Sequence, residues 1–317
     1  LKSVQIDGVT SYSDKDLAPL YADMIGQTVT LAEVYALSDA LTRKFRNDGY
    51  ILTQVVVPPQ TIDGGTIRLR VVEGFIDKVD VEGNDDPNAL ALIRAYASQI
   101  ANGQAVNVKT LERALLLIND LPGISARSVL SPSKTKTGAA DLKILVTRDP
   151  YEALIGIDNY GSRFLGNAQL TAAGSLNSAF GWNERLTAQM AVAPQAGEGL
   201  EMAYFGVDWK QPIGKYGTTF DLQASNTNTE PGYTLKSFNV RGHSQYWAAE
   251  VEHPFIRTRA LNVSGRAKFD WRDAETRNDV ETTREDKIRA ARLGGHLEFL
   301  DKIFGAGVNT ADAEVSA

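Results

Sequence analysis

Cysteine is absent from the 317 residues, which excludes disulfides, thiolate metal sites and cysteine nucleophiles together and suits a periplasmic or surface protein. Long apolar runs are missing too. Nothing approaches the roughly eighteen consecutive apolar residues of a membrane helix, so any membrane-spanning part has to be built from strands. There is no basic stripe, and a formal net charge of −6 gives no reason to expect nucleic acid as a partner. Histidine is scarce: His243, His253 and His296 are the three, none paired at metal-ligand spacing. Two of them are expected on the polar parity of their strands, as wall residues. No Gly-x-Ser-x-Gly elbow makes Ser244 or Ser264 a nucleophile. The acidic loop 84–88 lacks the order of a calcium loop, so Asp85 or Asp86 is read as a helix N-cap. These absences argue against an enzyme, a cofactor and a metal site. The chain opens at Leu1 without an initiator Met or a signal region, which reads as a processed or trimmed start.

What is present begins with the stretch Arg259 to Arg272. Leu261, Val263, Gly265, Ala267, Phe269 and Trp271 are apolar or small, whereas Asn262, Ser264, Arg266, Lys268 and Asp270 are polar or charged. This is period two sustained for about eleven residues, enough for a tilted strand to cross a bilayer. The mean hydropathy of −0.22 is no objection, because a barrel wall gives every second residue to water. From Tyr151 onward strands are expected near 152–160, 166–178, 184–193, 200–210, 218–226, 236–251, 260–271 and 287–299, with a bulge or a phase error in each of 236–251 and 287–299. A ninth starts after Gly307 and is cut midway. With residues 1–149 in the periplasm, the turns near 179–183, 212–217, 252–259 and 300–306 face that side. Each carries an aromatic, Trp182, Tyr216, Phe255 and Phe304, as an interfacial girdle requires. QAGEG at 195–199, the stretch 228–232 and the charged run 272–287 become the outer loops.

The first 149 residues follow a different grammar, one small unit written twice. In the first copy a strand at Val4 to Val9 precedes a helix from about Asp14 to Ile25. Thr30 and Glu33 form a capping box for a second helix with Val34, Leu37, Leu41 and Phe45 on one face. Strands at Ile51 to Val57 and Ile67 to Val72 close it around a turn at Asp63, Gly64 and Gly65. In the second copy a strand at Ile76 to Val81, a helix at Pro87 to Ile100, a helix capped by Asn107 and strands near 124–130 and 142–146 repeat the order β-α-α-β-β. No flexible linker separates them, so a stiff tandem is expected.

The segments VVVPPQ at 55–60, GTIRLRVVEG at 65–74 and FIDKVDVEGN at 75–84 resemble the polypeptide-transport-associated (POTRA) domains of two-partner secretion transporters, the outer-membrane exporters of haemolysins and filamentous haemagglutinins. NYGSRFLG at 159–166 and HPFIRTRALNVSG at 253–265 extend the resemblance over nearly the whole chain. It implies an α+β POTRA tandem, 1–74 and 75–149, followed by a transmembrane antiparallel β-barrel from 150 to 317. It also implies sixteen strands, a lumen-entering loop and a plug helix, so the eight or nine strands here read as a fragment.

The function implied is capture of a secreted exoprotein in the periplasm, through its N-terminal secretion domain, and its passage unfolded through the barrel. The alternative is a barrel-assembly or insertion factor of the same superfamily. An outer-membrane enzyme with a passenger domain is the third possibility, and no such domain is evident. Expected partner contacts are Leu52, Gln54, Val55, Val56, Arg68 and Arg70, at a strand edge suited to an extended peptide. Expected pore-lining residues are Arg185, Arg241, Arg266, Lys268, Asp270 and Arg292. The expected setting is the outer membrane, with its lipid around the barrel.

Overall fold

The computed structural model describes residues 1–62, 64–83, 87–194, 199–301 and 307–317. The expected turn residue Asp63, the caps Asp85 and Asp86, the loop 195–198 and the aromatic Phe304 lie outside the described residues. By contacts the chain divides into two compact units, one of 1–83, 93–116 and 126–146, the other of 84–92, 117–125 and 147–317.

The first unit holds most of both repeats. In the first, β1 (Ser3–Asp7), α1 (Asp14–Leu17), α2 (Leu31–Asn47), β2 (Gln54–Val56) and β3 (Thr66–Val72) follow in order. The long first helix expected over 14–25 is instead a single turn followed by 3-10 turns at Ala18–Leu20 and Ala22–Met24. Pro19 explains the change, because it supplies no backbone N–H to an α-helical ladder. Helix α2 starts where the capping box puts it: Glu33 N–H donates to Thr30 Oγ1 at 3.3 Å and Thr30 N–H to the Glu33 carboxylate at 2.6 Å. Its apolar face, Val34, Leu37, Leu41 and Phe45, is buried against Ile67, Leu69 and Val71 of β3.

The sheet order is β1-β3-β2, with β1 parallel and β2 antiparallel to the central β3. The second repeat, β4 (Phe75–Glu82), α3 (Pro87–Ala97), α4 (Val108–Asn119), β5 (Ile124–Pro132) and β6 (Ala139–Arg148), has the matching order β4-β6-β5, again with the first strand parallel to the last. The two copies are therefore one topology twice, with two residues between the end of β3 and the start of β4.

The second unit is dominated by a nine-stranded sheet in strict sequence order: β7 (Tyr151–Asp158), β8 (Gln169–Asn177), β9 (Arg185–Pro194), β10 (Leu200–Ile213), β11 (Thr218–Thr229), β12 (Arg241–Arg257), β13 (Leu261–Arg277), β14 (Thr282–Asp301) and β15 (Gly307–Ser316). Every neighbouring pair is antiparallel. The charged run 272–287 is a correction to the sequence reading. It is mostly strand, since β13 reaches Arg277 and β14 begins at Thr282; ladder hydrogen bonds hold an extended chain even where both faces are polar and hydrophobic period gives no signal. Residues 236–238 belong to a 3-10 segment (Tyr233–Phe238) rather than to β12. Register shifts of the large sheet fall at Leu200/Met202, Pro254/Ile256 and Thr276/Arg277, so neither 236–251 nor 287–299 holds a bulge; the one in β12 lies just beyond the expected stretch. No helix of the described residues is long and apolar enough to cross a membrane.

Candidate functional site

Because directly opposed residues of an antiparallel pair point to the same side, register alone assembles the two faces of the large sheet. Arg292 faces Lys268, Lys268 faces Glu250, Glu250 faces Asp221, Asp221 faces Lys210 and Lys210 faces Arg185. Six charged residues thus form one row across six strands. Beside it, Asp270 lies opposite Ala248 and Ala290, and Arg266 opposite Glu252 and Gly294. The other face carries the opposite parity: Ala224, Trp247 and Trp271 in one row, Leu222, Ala249, Phe269 and Ala291 in a second, Phe220, Val251, Ala267, Leu293 and Val315 in a third.

Burial on the two faces is the reverse of a soluble sheet. The Lys268 and Glu250 side chains are only 21% and 22% exposed, while Phe269, Leu293 and Val315 are 54%, 64% and 71% exposed. Sheltered charges are stabilised by pairing, and those around Lys268 and Arg292 are paired. The Arg292 guanidinium bonds the buried Asp270 carboxylate and reaches Glu314 at 3.2 Å; Arg266 reaches Asp312 and Glu314, both at 3.2 Å. Lys268 lies 3.7 Å from Glu250, and Arg185 bonds Glu152. Tyr246, Arg272 and Ile288 complete a polar cleft around this network.

Five of the six expected pore residues, Arg185, Arg266, Lys268, Asp270 and Arg292, share the charged face. Arg241 does not, which corrects the sequence reading. It lies opposite Arg277 with the parity of Trp247, and pairs at its exposed edge with Glu230 at 3.6 Å. Residues 236–240 precede β12, so a strand started at 236 gives no parity for Arg241. His243 and His253 share that apolar parity, leaving His296, 3.0 Å from Asp312, as the one histidine on the charged face.

In the first repeat the expected partner edge is largely sealed. Val55 is buried; its N–H donates to Thr42 Oγ1 at 3.1 Å and its carbonyl accepts from Ser38 Oγ at 2.9 Å, so α2 occupies both backbone groups. This corrects the reading of Val55 as an open edge donor. Arg68 is sealed in the same way, its N–H donating to Gln60 Oε1 and its carbonyl accepting from Gln60 Nε2, each at 2.8 Å. After Pro58 and Pro59, which cannot donate to a ladder, the Gln60 amide stands in for a strand. Gln54, Val56, Arg68 and Arg70 share the outer face of the sheet, but Leu52 lies outside β2, under Gly74, where a Cβ would come within 2.4 Å of the Leu52 Cβ.

Sequence reasoning missed Leu31 and Tyr35. They lie 61% and 53% exposed on the same helical stripe of α2 as Ser38 and Thr42, the residues that hold Val55. It also missed Glu73, whose carboxylate accepts from Thr10 N–H at 3.0 Å, Ser11 N–H at 2.9 Å and the Thr10 hydroxyl. Burial pushes this carboxyl up, and the hydrogen bonds from Thr10 and Ser11 outweigh it, leaving Glu73 below its ordinary range.

A family model for a POTRA domain of ShlB type matches residues 1–74, and one for haemolysin secretion/activation proteins ShlB/FhaC/HecB matches residues 138–312. The chain belongs to the ShlB/FhaC/HecB family. It is 26% identical over 286 residues to the heme/hemopexin transporter protein HuxB of Haemophilus influenzae (strain 86-028NP), covering 88% of this chain and 49% of that one. It is 24% identical over 290 residues to the hemolysin transporter protein HpmB of Proteus mirabilis, covering 90% and 45%. The chain thus spans about half the length of these curated relatives. In fold it is similar to the solved structure of CdiB from Escherichia coli, with a TM-score of 0.82 at 20% identity over 100% of this chain and 58% of that one. ShlB/FhaC/HecB proteins are outer-membrane transporters with periplasmic POTRA domains, not enzymes. The exposed apolar face of the sheet is accordingly its lipid side.

Proposed function

We propose that the protein exports a partner exoprotein, residues 1–74 and 75–149 serving as two periplasmic capture domains and 150–317 as part of the wall of the conduit. The observation that carries this reading is the inverted sheet, with a sheltered, ion-paired face on one side and a lipid-exposed apolar face on the other. Such a wall suits an aqueous lumen, and Arg185, Arg266, Lys268, Asp270 and Arg292 line it. The captured segment is extended, belongs to the partner's N-terminal secretion domain, and lies along Leu31 and Tyr35 with Gln54, Val56, Arg68 and Arg70 beside it. The cysteine-free chain allows a direct test. A charged, water-soluble thiol reagent should modify Lys268→Cys and spare Phe269→Cys in the assembled protein, and the bulky adduct at 268 should slow secretion. Equal labelling of both positions would remove the lumen from this reading.

A further inference from the structure

The motif NYGSRFLG, at 159–166, takes no part in the lumen wall or the capture surface. It forms the loop between β7 and β8, yet its contacts are with strands and loops further along the sheet. The Phe164 carbonyl accepts from Gly232 N–H at 2.9 Å, in the loop between β11 and β12. The Phe164 and Tyr233 rings meet edge to face at 6.0 Å, and the Arg163 guanidinium lies 5.2 Å from one ring and 5.1 Å from the other. Between these ends the loop passes over β9 and β10. Gly166 is buried, and a Cβ there would lie 2.6 Å from the Cβ of Ala193, itself fully buried.

That contact fixes the side on which the loop lies. Ala193 has the parity of Arg185 in β9, whose register puts Arg185 in the charged row. The loop therefore folds over the charged face, inside the wall rather than out into solvent. Glu201, the extra residue where the β9–β10 register shifts, is buried beneath it. One Glu201 oxygen is 1.9 Å from the place a Cβ on Gly232 would take, so a methyl there would push the Glu201 carboxylate aside, while Gly166, with a φ of 85° and the Ala193 Cβ at 2.6 Å, has no room for a side chain. Tyr233 has a φ of 53°, a left-handed backbone that a bulky residue keeps only when its surroundings hold it there.

We propose that residues 159–168 are a strap that crosses the outer end of the lumenal face, latched by Arg163, Phe164, Gly232 and Tyr233, and that it must unlatch for an exported chain to leave. The device rests on the export reading above. Its latch is held by one backbone hydrogen bond, two cation–π contacts and one ring pair, at the rim and partly in water. Such contacts are individually weak, as a part that opens on each passage requires.

The absence of cysteine again supplies the experiment. Phe164→Cys with Tyr233→Cys, in the full-length protein in cells, should form a disulfide on oxidation. Secretion should then fall at least tenfold and return on reduction. As an independent measure, Gly232→Ala should raise single-channel conductance of the purified protein in planar bilayers, because the added methyl displaces the Glu201 carboxylate packed beneath the latched strap. Arg163→Ala, an exposed change that leaves the strand ladder intact, should raise it in the same direction. A completely cross-linked protein that secretes like its reduced form overturns the strap, as does a pair that never cross-links, or conductance unchanged in both single variants. Secretion by the parent, without the two introduced cysteines, reports separately on the export reading. If the parent moves no exoprotein, that reading fails, and the disulfide and conductance results still judge whether the strap closes the mouth.

Discussion

Asn107 holds two helix ends at once: its Nδ2 donates to the Asp48 carbonyl at the end of α2, at 3.0 Å, and its Oδ1 accepts from Lys109 N–H at the start of α4, also at 3.0 Å. Asp48 in turn accepts from the Tyr12 hydroxyl and from Lys44, and these bonds, the Tyr12 one foremost, hold its carboxyl below the ordinary range. Gly49 packs so closely on the Asn107 amide that a Cβ would lie 2.7 Å from Oδ1. One side chain is therefore shared between the two repeats.

Replacing Asn107 by Ala should cost about 1–2 kcal/mol, the cap of α4 and the bridge to α2 together. Differential scanning calorimetry of residues 1–149 should record a lower unfolding temperature. A loss below about 0.3 kcal/mol would show the bridge to be incidental.

Glu73 makes the stability of the first repeat depend on pH in a defined sense. Its folded value lies below its ordinary 4.5, so its contribution is complete above that pH and is lost as the pH falls through the lower folded value. Glu73→Gln should be less stable than the parent by roughly 1 kcal/mol at pH 7. The gap should close in acid, once the pH lies below that folded value. Urea midpoints at neutral and acid pH decide it, and a gap that persists in acid would assign the effect to shape rather than charge.

The ion-pair network predicts unequal responses among the arginines of the large sheet. Arg292→Glu sets a third carboxylate against Asp270 and Glu314 and should lower stability clearly, because Asp270 is buried and loses its partner. Arg241→Glu, at an exposed edge, should change stability by less than about 0.5 kcal/mol. Heat-modifiable mobility of the assembled protein on gels distinguishes them. Equal loss in both variants would contradict the register argument.

Val55→Pro removes the N–H that Thr42 accepts, so it should destabilise the first repeat by about 1–3 kcal/mol. Partner binding should fall only in proportion to unfolded protein. Tyr35→Ala, at an exposed position, should instead weaken capture while leaving the unfolding temperature unchanged. Titration calorimetry beside thermal melts separates the two outcomes.

The elements legible in the sequence were those where one period dominates. The capping box at Thr30 and Glu33, the apolar face through Leu37 and Leu41, and the alternation from Leu261 to Trp271 each translate directly into a helix or a strand. What escaped was polar and non-local. Ser38 and Thr42 look like ordinary helix residues until the fold brings Val55 against them, and Glu73 gives no sign of Thr10, sixty-three residues away. Arg241 was misplaced because its side depends on where β12 starts, and Asn239, Val240 and the 3-10 turn before it carry no alternation that fixes the count.

The length of β14 sets where an exported chain would meet the outside. The apolar band of the wall ends near the stacked Trp247 and Trp271, level with Arg289. From Arg289 the strand continues to Thr282, paired with β13 except at the register shift beside Thr283. At about 3.4 Å per residue, and with the tilt of roughly 40° usual for such walls, that hairpin stands about 18 Å above the hydrocarbon. On the proposed export reading, a polypeptide emerging beside it would be released beyond the lipid headgroups, with a two-stranded fence between it and the membrane surface.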